Sequence, residues 1–358
     1  MGKTTVKIKH KDMEFYEMIK DFLPEAIVDV HTHVWRKIDY PLQRKQDPRV
    51  VSWPSRVADE NPVEDLIETY RLLLPGKKVT PLIFPNLPEK NNLEKINNYV
   101  SKCSRETGYP ALIFSSPAWT SEELEEKIIK GGFLGAKSYM SMIPDLPSNQ
   151  ISIFDFFPRH QLEVHNKNGW IVMLHLPKDD RLRNSENLQN LIEIDENYEN
   201  LNLIVAHVGR AYCDEDAGDA FTVLKKTKRI LFDISANTNE NIFYQLIDCV
   251  GPERILFGSD MPITRMRMKR ITKNGIYINI VPKGLYGDVS KDKHMQEVEG
   301  AEAEKLSFFL YEEIGAFKRA CERHKLSRQD IEKIFYQNAM KIIEKAKNKN
   351  GGTHADSR

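Results

Sequence analysis

Eight short segments rich in β-branched and aromatic residues recur along the chain, each bounded by turn formers and separated by helical patterns. They are AIVDVHTHVW (26–35), VTPLIFPN (79–86), ALIFSSPA (111–118), FLGAKSYM (133–140), WIVMLHLP (170–177), LIVAHVG (203–209), ILFDISA (230–236) and ILFGSDMP (255–262). Most are near-continuous apolar runs rather than alternations, which marks parallel strands covered on both faces. Between them, PVEDLIETYRLLL, NNLEKINNYVSKC and NENIFYQLIDCVG carry helical spacing. TSEELEEKIIKGG adds a capping box, Thr120 with Glu123, and a glycine stop at Gly131 and Gly132. Eightfold β/α alternation predicts an α/β fold, the (βα)8 TIM barrel. A doubly wound open sheet would more typically carry a glycine-rich phosphate turn after its first strand, and this chain has none there.

Around a barrel spanning 26–346, the sequence predicts an N-terminal extension (1–25), long insertions at 36–62 and 263–302, and a disordered tail (347–358). Residues 303–346 read as two amphipathic helices, a C-terminal extension of the barrel. Both insertions follow strands, so they are expected to wall or lid the catalytic mouth. Within the second, GIYINIVPKGLYGDV alternates in period two around Pro282, Lys283 and Gly284, which predicts a small hairpin there.

The first strand ends in an uncommon way. Side chains alternate across a strand, so Asp29, His31 and His33 share one face, and two imidazoles a pleat apart can bite one divalent ion. Further polar residues interrupt apolar runs where strands finish: His175 in the fifth segment, His207 in the sixth and Asp260 in the eighth. Polar groups are costly in such runs, and barrel geometry is what brings these positions to one mouth.

These motifs, DVHTH, then MLHL, LIVAHVG and GPERILFGSDMP, resemble the amidohydrolase superfamily, and in wording its amidohydrolase-2 branch of metal-dependent hydrolases, lactonases and nonoxidative decarboxylases. The resemblance covers roughly residues 26–262. It implies that His31, His33 and His175 bind a metal, that Asp260 is a ligand or proton-transfer base, and that His207 is a second-shell or proton-shuttling group. One divalent ion is expected, zinc first, with manganese, iron or nickel also suited to such ligands. A metal-bound water has its pKa lowered toward about 7, and Asp260 could take its proton while His207 serves the carbonyl oxygen or leaving group. Asp29 reads as a buried acceptor orienting a histidine.

Lys137, in the fourth segment, has three readings: a carboxylated bridge between two metals as in other amidohydrolase branches, an ammonium that pairs with a substrate carboxylate, or a lysine snorkelling to the rim. The second is preferred, because the branch resembled points to one metal. Tyr139 nearby and Arg210, directly after the HVG motif, are further candidates for substrate contact. The run Arg265, Arg267, Lys269 and Arg270 reads mainly as a solvated face.

The preferred function is a metal-dependent hydrolase cleaving an ester, lactone or amide of a small anionic molecule. A nonoxidative decarboxylase or hydratase of the same branch is the alternative, and a catalytically idle binding barrel the alternative of another class. With 52 basic residues against 52 acidic, nothing recruits nucleic acid or an anionic membrane. Four scattered cysteines and no apolar run of membrane-spanning length predict a cytoplasmic protein, with a small molecule as its partner and homo-oligomerisation left open.

Overall fold

A computed structural model of the chain describes residues 7–40, 53–89 and 92–352. Eight parallel strands form the expected barrel: β1 (Ala26–His33), β2 (Lys78–Phe84), β3 (Ile113–Phe114), β4 (Gly135–Ser138), β5 (Ile171–Leu174), β6 (Asn202–Val205), β7 (Leu231–Asp233) and β8 (Ile255–Leu256). β1 pairs with β2, and β3 through β8 pair in chain order. The circle closes through a few backbone hydrogen bonds at each seam. Leu112 N–H donates to the Ile83 carbonyl at 3.0 Å, and Val30 N–H to the Phe257 carbonyl at 3.0 Å.

The strands are apolar because they are covered on both sides. Ile171, Val172, Met173 and Leu174 of β5 are all fully buried, each contributing roughly 1.5–3 kcal/mol by leaving water. Strand runs are shorter than the apolar segments that announced them, so the polar residues closing several of those segments lie just beyond the strand ends, in the loops at the mouth.

The helices between strands follow their local signals. Thr120 caps Ser121–Gly131, its side chain accepting the Glu123 N–H at 3.2 Å, and the helix ends at left-handed Gly132. FDFFPRHQLEVHNKNG breaks at Pro158 into Ile153–Phe156 and Arg159–Asn168. The C-terminal segment, read as two helices over 303–346, carries the helices Phe309–Arg323, Arg328–Glu332 and Asn338–Gly352. The final helix, Asn338–Gly352, enters the stretch expected to be disordered, and 353–358 lie outside the described residues. So do 41–52 of the first insertion. The N-terminal extension carries a helix, His10–Ile19.

The second insertion differs from expectation. It forms a three-stranded sheet of β9 (Lys269–Lys273), β10 (Ile276–Pro282) and β11 (Met295–Val298). The tight hairpin turn falls at Asn274 and Gly275, not at Pro282–Gly284, since β9 and β10 are antiparallel whereas β10 and β11 are parallel. Asn274 and Gly275 both have positive φ, 53° and 71°, as a two-residue hairpin loop requires and as asparagine and glycine tolerate.

The charge run at its start is likewise no solvated face. Arg265, Arg267 and Arg270 are buried and only Lys269 is exposed. Arg267 forms a bidentate pair with buried Asp12 of the N-terminal helix, both contacts 2.6 Å. Arg265 donates to Thr69 Oγ1 at 3.3 Å. Arginine tolerates such burial better than lysine because a planar guanidinium can stack and fork where an ammonium would stay hydrated.

Candidate active site

His31 and His33 enter the mouth from β1, and the ring of each is held by one specific partner. His31 Nδ1 lies 2.8 Å from Asp233 Oδ2, at the end of β7, with both side chains fully buried. His33 Nδ1 lies 3.0 Å from the Pro85 carbonyl. His207 Nδ1 lies 3.1 Å from the Ser235 carbonyl and 2.9 Å from Ser235 Oγ. The Ser235 hydroxyl gives its own proton to Asp233 Oδ1 at 2.5 Å, so it accepts from His207. Carbonyl and carboxylate oxygens only accept, so all three rings carry their proton on Nδ1 and leave Nε2 unprotonated, its lone pair an acceptor.

Those lone pairs meet Asp260. His31 Nε2 and His33 Nε2 lie 3.6 Å and 3.4 Å from Asp260 Oδ1. His31, His207 and Asp260 each place one donor atom within 4.8 Å of the others. Burial, aided by the Lys137 charge, holds His31 and His33 well below the usual histidine range. Burial, with His31 next to it, brings His207 down to about 4. The rings are therefore neutral, the form that ligates metals. Burial also raises Asp260 to about 6, against the pull of His207 and Lys137, so the carboxylate is ionised yet basic at neutral pH.

His175 follows β5 directly. Its ring centroid is 5.4 Å from that of His207, its Nε2 lies 3.5 Å from the Tyr139 hydroxyl, and its buried Nδ1 has no partner among the described residues. A buried ring nitrogen without a partner is a costly atom, and neutral imidazoles beside an ionised carboxylate make a hard-to-borderline donor set; these residues fit a divalent ion.

Lys137, at 2% exposure, does not snorkel. Its Nζ donates to His31 Nε2 at 2.9 Å, reaches His33 Nε2 at 3.5 Å and lies 4.1 Å from the centre of the Phe84 ring. Burial lowers the ammonium to about 8. A proton donor and a metal compete for one lone pair, so this hydrogen bond and an ion on His31 exclude each other.

The backbone around the site is strained. His207, Val208, Gly209 and Arg210 all have positive φ, from 49° to 66°, a left-handed turn that three of the four residues adopt only at a cost. Asp260 (62°) and Ala236 (48°) share that conformation. Gly258 permits the close approach of β8 to β1, since a Cβ there would stand 2.8 Å from the His31 Cβ.

Two assignments change. Asp29 does not orient a histidine ring; its carboxylate accepts the backbone N–H groups of His31 (3.1 Å) and Ser259 (2.9 Å) and the Tyr70 hydroxyl (2.7 Å), tying β1 to the loop after β8. The ring is oriented by Asp233, which sequence reasoning passed over although it closes an apolar run much as His175 does. Arg210 is engaged in closing its loop, donating to the carbonyls of Leu176 (3.0 Å) and Lys178 (3.2 Å) while lining the cavity.

The mouth is a cavity of about 410 Å³. His31, His33, His175, His207, Lys137, Tyr139 and Asp260 all border it. Trp53 from the first insertion and Arg270 and Tyr277 from the second add a wall.

A sequence profile of the amidohydrolases, Amidohydro_2, matches residues 28–344. No curated protein matches the chain. Among solved structures, a putative 2-pyrone-4,6-dicarboxylic acid hydrolase from Pseudomonas putida is 15% identical at a TM-score of 0.53, over 90% of this chain and 99% of its own. A zinc-bound amidohydrolase from Burkholderia multivorans is 11% identical at 0.53, over 89% and 99%. A dihydroxybenzoic acid decarboxylase from Polaromonas sp. JS666, with bound manganese and the inhibitor 2-nitroresorcinol, is 13% identical at 0.52, over 90% and 97%. At these identities the structural likeness concerns the fold.

Proposed function

Because the chain belongs to the amidohydrolase-2 family, we propose that it is a metal-dependent hydrolase that opens an ester, lactone or amide bond of a small anionic molecule. The observation that carries this reading is the common tautomer of His31, His33 and His207, each with Nδ1 protonated and Nε2 unprotonated, beside an ionised Asp260.

His31, His33, His175 and Asp260 would hold one divalent ion, zinc in the first instance. Such an ion supplies Lewis acidity, polarising a carbonyl and acidifying water. Asp260, its carboxyl raised to about 6, takes the proton of the attacking water. His207, neutral and fixed through Ser235 with Nε2 unprotonated, relays to the departing oxygen or nitrogen the proton that Asp260 takes from water. Lys137 pairs with a substrate carboxylate, and Tyr139 and Arg210 border the space the substrate fills.

A nonoxidative decarboxylase is the second reading, favoured by aromatic walls of Trp53, Tyr212 and Tyr277 that suit a flat aryl acid. Elemental mass spectrometry of protein purified without chelator should give about one metal per chain. A panel of lactones, esters and aryl carboxylates, read both for acid formed and for CO2 released, then separates the two reactions. CO2 without hydrolysis would replace the first reading with the second, and no metal after reconstitution would remove both.

A further inference from the structure

Arg270, the second residue of β9, is 9% exposed and borders the cavity. Its guanidinium carbon lies 4.9 Å from the ring centre of Tyr212, 4.6 Å from that of Tyr277 and 4.5 Å from that of Phe309. Nε donates to Asn279 Oδ1 at 2.9 Å and one terminal nitrogen to the Ala236 carbonyl at 2.6 Å. These partners are neutral, and no carboxylate among the described residues lies within ion-pair distance. Arg181, also at the cavity, is by contrast paired with Asp216 at 2.8 Å.

A guanidinium removed from water without a counter-charge costs free energy, and an arriving anion offsets that cost. Burial accordingly lowers the Arg270 pKa. The charge is also felt by Asp260 across the cavity. Between Arg270 and the histidines stands Tyr212, its ring centre 6.4 Å from that of His207 and 5.0 Å from that of Tyr277. A flat molecule lying along Tyr212 thus has a carboxylate-binding fork at one end and the histidine cluster at the other.

We propose that Arg270, with the faces of Tyr212 and Tyr277, forms a subsite for a carboxylate carried on a planar ring, so that the substrate is a ring-bearing acid whose reacting group lies toward His207 and Asp260. This rests on the reading of the cavity as a site for a small anion. The carboxylate accepts from the guanidinium at the side not used by Asn279 and Ala236, and the ring packs on tyrosine. The inserted sheet, rather than the barrel, thereby selects the substrate.

Isothermal titration calorimetry with benzoate and benzamide tests this on the full-length protein. Arg270→Met should weaken benzoate binding about 10- to 100-fold, the scale of hydrogen bonds to a charged group, and leave benzamide binding unchanged. Arg270→Lys, which keeps the charge and loses the fork, should weaken benzoate less and guards against a misfolded methionine variant. If both variants bind benzoate as the parent does and Lys137→Met loses it, the anion sits among the histidines; the Arg270 subsite is then wrong and the proposed function stands. If the parent binds neither probe, the small-anion reading falls and the subsite with it.

Discussion

His31 of β1 and Asp233 of β7 meet at 2.8 Å, Nδ1 to Oδ2, with no exposure of either side chain. The same carboxylate accepts the backbone N–H groups of His207 (2.8 Å) and Ser235 (3.1 Å) and the Ser235 hydroxyl. One residue therefore fixes the tautomer of His31 directly and that of His207 through Ser235. Asp233→Asn should reduce metal affinity about 10- to 100-fold, the usual effect of losing a carboxylate behind a ligating histidine. Competition with a chromogenic chelator measures it, and parental affinity would show that Asp233 serves the fold alone.

His175 and His207 carry different expectations. His175→Ala should strip the ion and leave a folded chain, whereas His207→Ala should keep the ion and lower turnover by about 10²–10⁴-fold, the range for a lost acid–base group. Metal content by mass spectrometry beside steady-state kinetics tells them apart. Metal lost in His207→Ala and retained in His175→Ala would exchange the two roles.

Asp260→Asn should nearly abolish turnover, by at least about 100-fold, because the amide cannot take the proton of water. An unchanged kcat would remove Asp260 as the base.

Gly258 is the point where a single methyl group should matter. A Cβ there would lie 2.8 Å from the His31 Cβ and 3.3 Å from the Asp233 Cβ and Cγ. Gly258→Ala should cost about 1–3 kcal/mol, the usual effect of overpacking, and should weaken metal binding by separating the His31–Asp233 pair. Denaturant unfolding with a parallel metal titration checks both; a stable variant of parental affinity would show that β8 can shift freely.

Glu313, on the helix Phe309–Arg323, is fully buried and accepts the Ala236 N–H at 2.6 Å. Burial raises its carboxyl well above the ordinary 4.5, and Asp29, Asp233 and Asp260 add to the rise. The folded chain keeps a proton that the unfolded chain releases above that pH. This group's contribution to stability is therefore complete below about pH 4.5 and declines as pH rises. Glu313→Gln removes the dependence, so its Tm relative to the parent should be higher at pH 8 than at pH 5. A difference that does not change with pH would mean that Glu313 is ionised in the folded protein.

The order of strands and helices was legible because apolar runs, caps and breakers act between near neighbours: Thr120 caps its helix and Pro158 breaks one by local chemistry alone. The histidines and Asp260 were legible as well, since a polar residue ending a buried run announces itself. The sequence alone thus determined the barrel and the residues at its mouth. The tertiary structure decided which of them touch. Asp233 rather than Asp29 holds the His31 ring, Lys137 lies against two imidazoles, and Arg270 leaves a nominal charge run to face the cavity. Each of these contacts joins residues more than a hundred positions apart or lies on the inserted sheet. They depend on barrel closure and on where that sheet folds back, which no local pattern encodes.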